Sequence, residues 1–251
     1  MCGRFGLTDP QAVRGFFELI RTYQLGDGVN DLLVPRFNIA PSRPVLGVRT
    51  RVPGRSERGQ PERRVDVFKW GLVPHWSRNG IAGNRTSNAC AETIAERASY
   101  RDAWRAGRRC LIPADVLYEW EKLPGREHAK KAPTQPYAVR MRDNALFCFG
   151  GLWDAWRDPA AGKQAPWKPT CTIITTTPND VMAAFHHRMP VIIPAEHIDA
   201  WLDPALPLDE ARALLVPYAP DAMRAYRITR TVNAPANEGP GVLEPAEERE
   251  C

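Results

Sequence analysis

The stretch Arg109-Cys110-Leu111-Ile112-Pro113-Ala114-Asp115-Val116-Leu117-Tyr118-Glu119-Trp120 is apolar for most of its length and closes on a carboxylate set between two aromatic rings. Its core, residues 110–118, reads as one buried strand. Working outward, short apolar or alternating runs recur at 44–48, 65–70, 137–141, 145–153, 170–176 and 226–232, and each predicts a further strand. Before them, Thr8 or Asp9 followed by Pro10 has the form of a helix N-cap with proline at the first helical position. Val13, Phe16, Phe17 and Ile20 then recur at helical spacing, which predicts a helix over 9–23. Helical patterns also fall at 91–106, 179–185, 195–202 and 209–216. The mixture predicts an α+β fold in which strands dominate.

The chain has 251 residues, of which 43% are hydrophobic and 25% charged, an ordinary globular composition for one domain. Residues 51–64, 122–135 and 157–169 are rich in Pro, Gly, Lys and Arg and are expected as exposed loops. None of them separates two self-sufficient cores. From Asn233 onward there are five Glu against one Arg, so a net charge of +5 conceals +9 on residues 1–232 and −4 on the tail. This predicts a domain over 1–233 with a basic surface suited to an anionic partner, and an acidic, Pro-rich, disordered tail over 234–251. No run approaches the ~20 apolar residues of a membrane span, and the start MCGRFGLTDP lacks the basic stretch and apolar run of a secretory signal. Neither membrane nor export is expected, and a reducing cytoplasm fits the cysteines. All six, Cys2, Cys90, Cys110, Cys148, Cys171 and Cys251, stand outside any CxxC pair, which argues against a disulfide scaffold and a structural zinc site. No metal and no cofactor are expected.

Cys2 carries the most distinctive chemistry. A residue this small after Met1 invites removal of the methionine, which leaves a thiol and a free α-amine on adjacent carbons. Their ordinary pKa values, ~8.5 and ~7.7 to 8.0, leave both a usable nucleophilic fraction near neutrality. The amine can condense with an aldehyde and the thiol then close a five-membered thiazolidine; alternatively the thiol attacks an acyl carbon with the amine as its base. Glu119, between Tyr118 and Trp120, sits where aromatic neighbours would desolvate a carboxyl and raise its pKa. Of the pair His186-His187, one imidazole can shuttle protons while Arg188 holds an anion. Asn88 offers a donor and an acceptor. Trp70 and Trp76, bracketing Gly71-Leu72-Val73-Pro74-His75, offer faces on which unpaired bases can stack. Each of these has an ordinary structural alternative: a strand-end ion pair, a helix-terminal histidine, a turn former, core tryptophans.

Together, several segments closely resemble the SOS response-associated peptidase (SRAP) family, whose members crosslink to abasic sites in single-stranded DNA. They are Met1-Cys2-Gly3-Arg4-Phe5, Arg36 to Pro41, Trp70 to Trp76, Asn88-Ala89-x-Ala91-Glu92-Thr93, Arg109 to Asp115 with Tyr118-Glu119-Trp120, Gly151-Leu152-Trp153, Thr175-Thr176 and His186-x-Arg188-Met189-Pro190. The resemblance implies a single domain with a mostly antiparallel, barrel-like β core flanked by helices. It implies Cys2 as covalent nucleophile, Asn88, Glu119 and His186 as its companions with Thr175 nearby, and a DNA groove lined by Arg4, Asn38, Pro41, Trp70 and Arg188. One departure matters: Cys90 stands where the family usually has Arg, and Arg85 from the same loop is the candidate substitute. The partner implied is single-stranded DNA with an abasic site, bound by a monomer, with removal of Met1 by the protein itself and strand cleavage as accompanying activities.

Two other classes compete. N-terminal-nucleophile amidohydrolases of the class II amidotransferase type also begin Met-Cys-Gly, but usually continue with an aliphatic residue where Arg4 stands. A noncatalytic single-strand binding module accounts for the charge and the aromatics, yet leaves Cys2, Asn88, Glu119 and His186 without a purpose.

Overall fold

A computed structural model of the chain describes residues 2–19, 24–53, 59–124, 133–162 and 164–246. The strands are β1 (Phe5–Leu7), β2 (Gln24–Leu25), β3 (Arg36–Ile39), β4 (Pro44–Arg51), β5 (Glu62–Trp70), β6 (Asn88–Cys90) and β7 (Arg109–Ala114). They continue with β8 (Val116–Lys122), β9 (Thr134–Met141), β10 (Phe147–Trp156), β11 (Lys168–Thr176), β12 (Met189–Pro190), β13 (Ile192–Ile193) and β14 (Met223–Arg227). The helices are short: α1 (Pro10–Leu19), α2 (Val29–Leu32), α3 (Arg101–Arg105), α4 (Asp180–Ala183), α5 (Ile198–Leu202) and α6 (Leu208–Ala213).

One sheet runs β14-β9-β8-β1-β3 and the larger one β12-β11-β10-β7-β4-β5-β2. Because β11 also pairs with β5, strands β5, β4, β7, β10 and β11 close into a five-stranded barrel. An odd ring cannot alternate direction throughout. The four other pairings are antiparallel and the β5–β11 seam is parallel, which bears out the α+β, barrel-like reading.

The opening stretch behaves differently from one strand. At Asp115 the chain leaves the barrel as β7 and enters the other sheet as β8, so residues 110–118 form two strands in two sheets. The reason lies in the Asp115 side chain, only 3% exposed, whose Oδ2 accepts from Thr8 N at 2.7 Å, Thr8 Oγ1 at 2.8 Å and Asp9 N at 2.9 Å. A buried carboxylate with three donors holds the N-terminal segment at the corner. Asp9 in turn caps α1 through Gln11 N at 2.9 Å and Ala12 N at 3.0 Å, as expected, although residues 20–23 of the predicted helix lie outside the described residues.

Three further expectations change. Residues 91–106 form a 3-10 turn (Ala91–Thr93) and the short α3, and 226–232 split between β14 and a 3-10 turn at Arg230–Asn233. Residues 234–246 do not behave as a disordered tail. They turn back on β3, with Asn38 Nδ2 donating to Ala234 O at 3.0 Å and Asn237 O at 2.9 Å, Phe37 N donating to Glu238 Oε2 at 2.8 Å, and Val242 fully buried with Val116, Tyr118 and Val232. Composition misleads because one apolar residue and a few main-chain groups suffice to anchor a short segment.

Candidate active site

β1 explains how the second residue of the chain comes to be buried. It pairs Phe5 with Leu117 and Gly6 with Val116 on one side, and Phe5 with Ile39 on the other. Tyr118 N donates to Arg4 O at 3.0 Å, which extends the zipper toward the N-terminus. Continued, this antiparallel register brings Gly3 opposite Glu119 and carries Cys2 into the interior. Phe5 locks the register by packing edge-on against Trp70 (5.1 Å) and Phe149 (5.5 Å).

Cys2 is wholly buried. Asn88 Nδ2 donates to its carbonyl at 2.9 Å, and Arg4 N donates to its thiol. Asn88 is placed by the parallel pairing of β6 with β11, Asn88 beside Ile173, and by Tyr100 Oη donating to Asn88 O at 2.8 Å. Burial pushes the Cys2 thiol far above its ordinary range, and the nearby Glu119 charge pushes it further. It rests as a thiol. Glu119, 4% exposed, has its carboxyl pushed up to about 7 by burial, as its position between aromatic rings suggested. Two buried acceptors here, Glu119 Oε1 and Asn88 Oδ1, have no hydrogen-bond partner among the described residues. Such atoms normally find donors, so two open acceptors beside Cys2 suit a group bearing protons.

His186 lies beside the same part of the sheet. Phe185 packs at 4.5 Å on Tyr137, the cross-strand partner of Glu119, and Lys122 of β8 adds its charge to the His186 surroundings. Arg188 N donates to His186 Nδ1 at 2.9 Å, which leaves the proton of the neutral ring on Nε2. Burial lowers its pKa, so near pH 7 it is neutral and presents an N–H donor at Nε2. His187 stacks on it at 4.3 Å and is exposed.

The other candidates divide. Thr175 is fully buried and its hydroxyl donates to Ala89 O at 3.3 Å, so it supports β6 without facing a ligand. Trp70 is fully buried, its indole N–H donating to Ser87 O at 2.8 Å, and it offers no stacking face. The correction was legible in the strand phase, since Trp70 shares the inward side of β5 with Phe68 while Lys69 points out. Trp76, beyond Pro74, is 53% exposed. Asn38, 2% exposed, is spent on the C-terminal segment and on Arg4, whose Nη1 donates to Asn38 Oδ1 at 2.7 Å and to Val232 O at 2.9 Å. Asn38 does not meet solvent as a groove contact would, whereas Arg4 is half-buried; together they act as a strut behind the N-terminus. Pro41 is the second residue of a type II turn closed by Arg43 N to Ala40 O at 3.2 Å, with Ser42 at φ 70°. Arg85 is exposed without an ion pair among the described residues. Arg188 makes a two-pronged pair with Glu92, both contacts 2.7 Å, and donates to Thr175 O at 2.5 Å. Glu92 and Asp115 were missed as organising residues, although both lie inside the quoted segments.

A barrel-centred α+β fold thus brings together a buried Cys2, an amide on its carbonyl and a desolvated carboxyl beside it. The chain matches the family model described as SOS response associated peptidase (SRAP) over residues 1–235, and it belongs to that family. It is 34% identical over 246 residues to the abasic site processing protein YoqW of Bacillus subtilis (strain 168), covering 97% of this chain and 99% of that one. It is 31% identical over 231 residues to the abasic site processing protein HMCES of Gallus gallus, covering 85% of this chain and 67% of that one. A crystal structure of a protein from Bacteroides thetaiotaomicron superposes with TM-score 0.76 at 25% identity, covering 98% of this chain and all of that one.

Proposed function

We propose that this protein processes abasic sites, and that it does so by crosslinking Cys2, freed of Met1, to the ring-opened aldehyde in single-stranded DNA. The observation that carries the reading is the buried Cys2 with its carbonyl held by Asn88 and Glu119 poised near pH 7 beside it. The names of the relatives support the substrate class.

The chemistry follows from the protonation states. The thiol is held as S–H, so the amine is the group that reacts first. It adds to C1 of the open sugar; Glu119 in its acid form protonates the departing hydroxyl, and one water leaves as the imine forms. The nitrogen keeps its second proton, so the thiol sulfur adds to the carbon of a protonated imine while the S–H proton passes to the Glu119 carboxylate and restores its acid form. The sum is aldehyde plus aminothiol giving thiazolidine plus water. The open acceptors Asn88 Oδ1 and Glu119 Oε1 suit the N–H donors of a freed amine. His186, neutral with its proton on Nε2, serves as a hydrogen-bond donor to the oxygen that develops charge during addition. Removal of Met1 by the same groups, and strand cleavage through the imine, are side activities of this arrangement.

Denaturing electrophoresis of the protein with an abasic single strand tests the reading. Mature protein should give a heat-stable adduct, and Cys2→Ala should give none while still binding the strand. An adduct formed equally fast by protein carrying an extra residue before Cys2 would remove the amine from the mechanism and end the proposal.

A further inference from the structure

We infer that the outer end of the β10–β11 hairpin, carrying Arg157, Trp167 and Lys168, is a second, non-covalent contact for single-stranded nucleic acid that extends the path leading to Cys2. The inference rests on the reading above and deepens it by placing a strand contact at a distance from the covalent site.

Trp167 and Trp76 are each 53% exposed, an unusual state for the largest apolar side chain. Their segments are packed on a shared pillar, Trp156. Its indole N–H donates to Ser77 O at 2.8 Å, a Cβ on Gly80 would meet its ring at 3.4 Å, and its cross-strand partner is Lys168, whose Nζ lies 5.9 Å from the ring. The turn bearing Trp76 and Arg78 and the hairpin end bearing Trp167 are therefore neighbours. The Arg157 guanidinium lies 4.4 Å over Trp167, a rigid cation and ring pair of the kind on which bases stack.

The charges agree. Arg78 and Arg85 are exposed and have no ion pair among the described residues. The acids nearby are occupied: Asp102 faces Arg101 and accepts from the Trp76 indole, Asp154 is buried against Arg108 and His75, and Asp158 caps Ala160 N. The chain also joins this surface to the site. The loop over 71–87 that carries Trp76, Arg78 and Arg85 ends at Asn88, which holds Cys2. It is folded on itself at Gly71, where φ is 132° and a Cβ would lie 2.1 Å from Gly83 O. From Lys168 to Ile173, the partner of Asn88, the path along β11 is about 17 Å at ~3.3 Å per residue.

The test is fluorescence anisotropy of the full chain with labelled oligothymidines of about 6, 12 and 20 nucleotides that contain no abasic site, the range of site sizes such surfaces take. Wild type should tighten with length. Trp167→Ala should bind the longest strand about tenfold more weakly and the shortest one equally well, and Trp167→Phe should restore most of the loss. At saturating abasic strand, Trp167→Ala should crosslink at the wild-type rate. Equal affinity of Trp167→Ala and wild type for the longest strand, or an equal loss at every length, would overturn the inference. A wild type that shows the length-dependent, Trp167-dependent binding but never crosslinks would leave this contact standing and sink the covalent reading alone.

Discussion

The pocket around Cys2 and the edge around Trp76 lie at the two ends of one loop, and they solve opposite problems. Around Cys2 two acceptors stand open, and burial has moved the Cys2 and Glu119 protonation equilibria upward and that of His186 downward. At the edge two indoles and several guanidinium groups stay in water. Covalent chemistry needs groups whose protonation is set by a low dielectric, whereas holding a polyanion needs fully charged cations that release counterions. The difference teaches that nucleophile and binding surface should be separable by mutation.

The strongest break is at the nucleophile. Cys2→Ser keeps the amine and replaces the thiol by a poorer closing group, so the expected product is a labile imine that reverts or cleaves the strand where wild type remains attached; adduct survival after heating reads this out. Next is the carboxyl. Glu119→Gln should slow crosslinking about 10²-fold at pH 7 with strand affinity within about twofold, and it should flatten the pH–rate profile around the wild-type inflection near 7. An unchanged profile would show that another group titrates.

The same substitution sharpens the comparison through stability. Glu119 has a folded pKa of about 7 against an ordinary 4.5, so the folded state binds the proton more tightly than the unfolded chain does. Its protonated form favours folding below pH ~4.5, and that contribution is lost as pH rises through 7. Glu119→Gln should therefore gain on the order of 1–3 kcal/mol relative to wild type between pH 5 and 8, measured by urea unfolding. At the wet edge the effects are smaller. Trp76→Ala should weaken strand binding about tenfold with the saturated crosslinking rate intact, and raising salt should weaken wild-type binding steeply. Cys90→Arg, adding a cation near the Glu92–Arg188 pair, should tighten binding a few-fold at low salt, and no change would place that position off the strand path.

Sequence alone determined more of the site than of the path of the chain. Cys2, Glu119 and the capped first helix were legible as candidates because their signals are local: a thiol after Met1, a carboxyl between aromatic rings, a cap followed by proline; Asn88 came with the family resemblance. The strand content was legible from periodicity, and the barrel came with the family resemblance. What periodicity cannot carry is a change of partner inside an unbroken apolar run. Residues 110–118 have the same pattern whether they form one strand or two, and only the three donors gathered by Asp115 decide the corner. Likewise Asn38 and Arg4 carry polar groups that suit a DNA groove equally well, until the fold brings the carbonyls of Val232, Ala234 and Asn237 within reach of them. A hydrogen-bonding side chain is claimed by the nearest buried partner, because leaving that partner unpaired costs about 1–3 kcal/mol. Which partner is nearest is a property of tertiary structure.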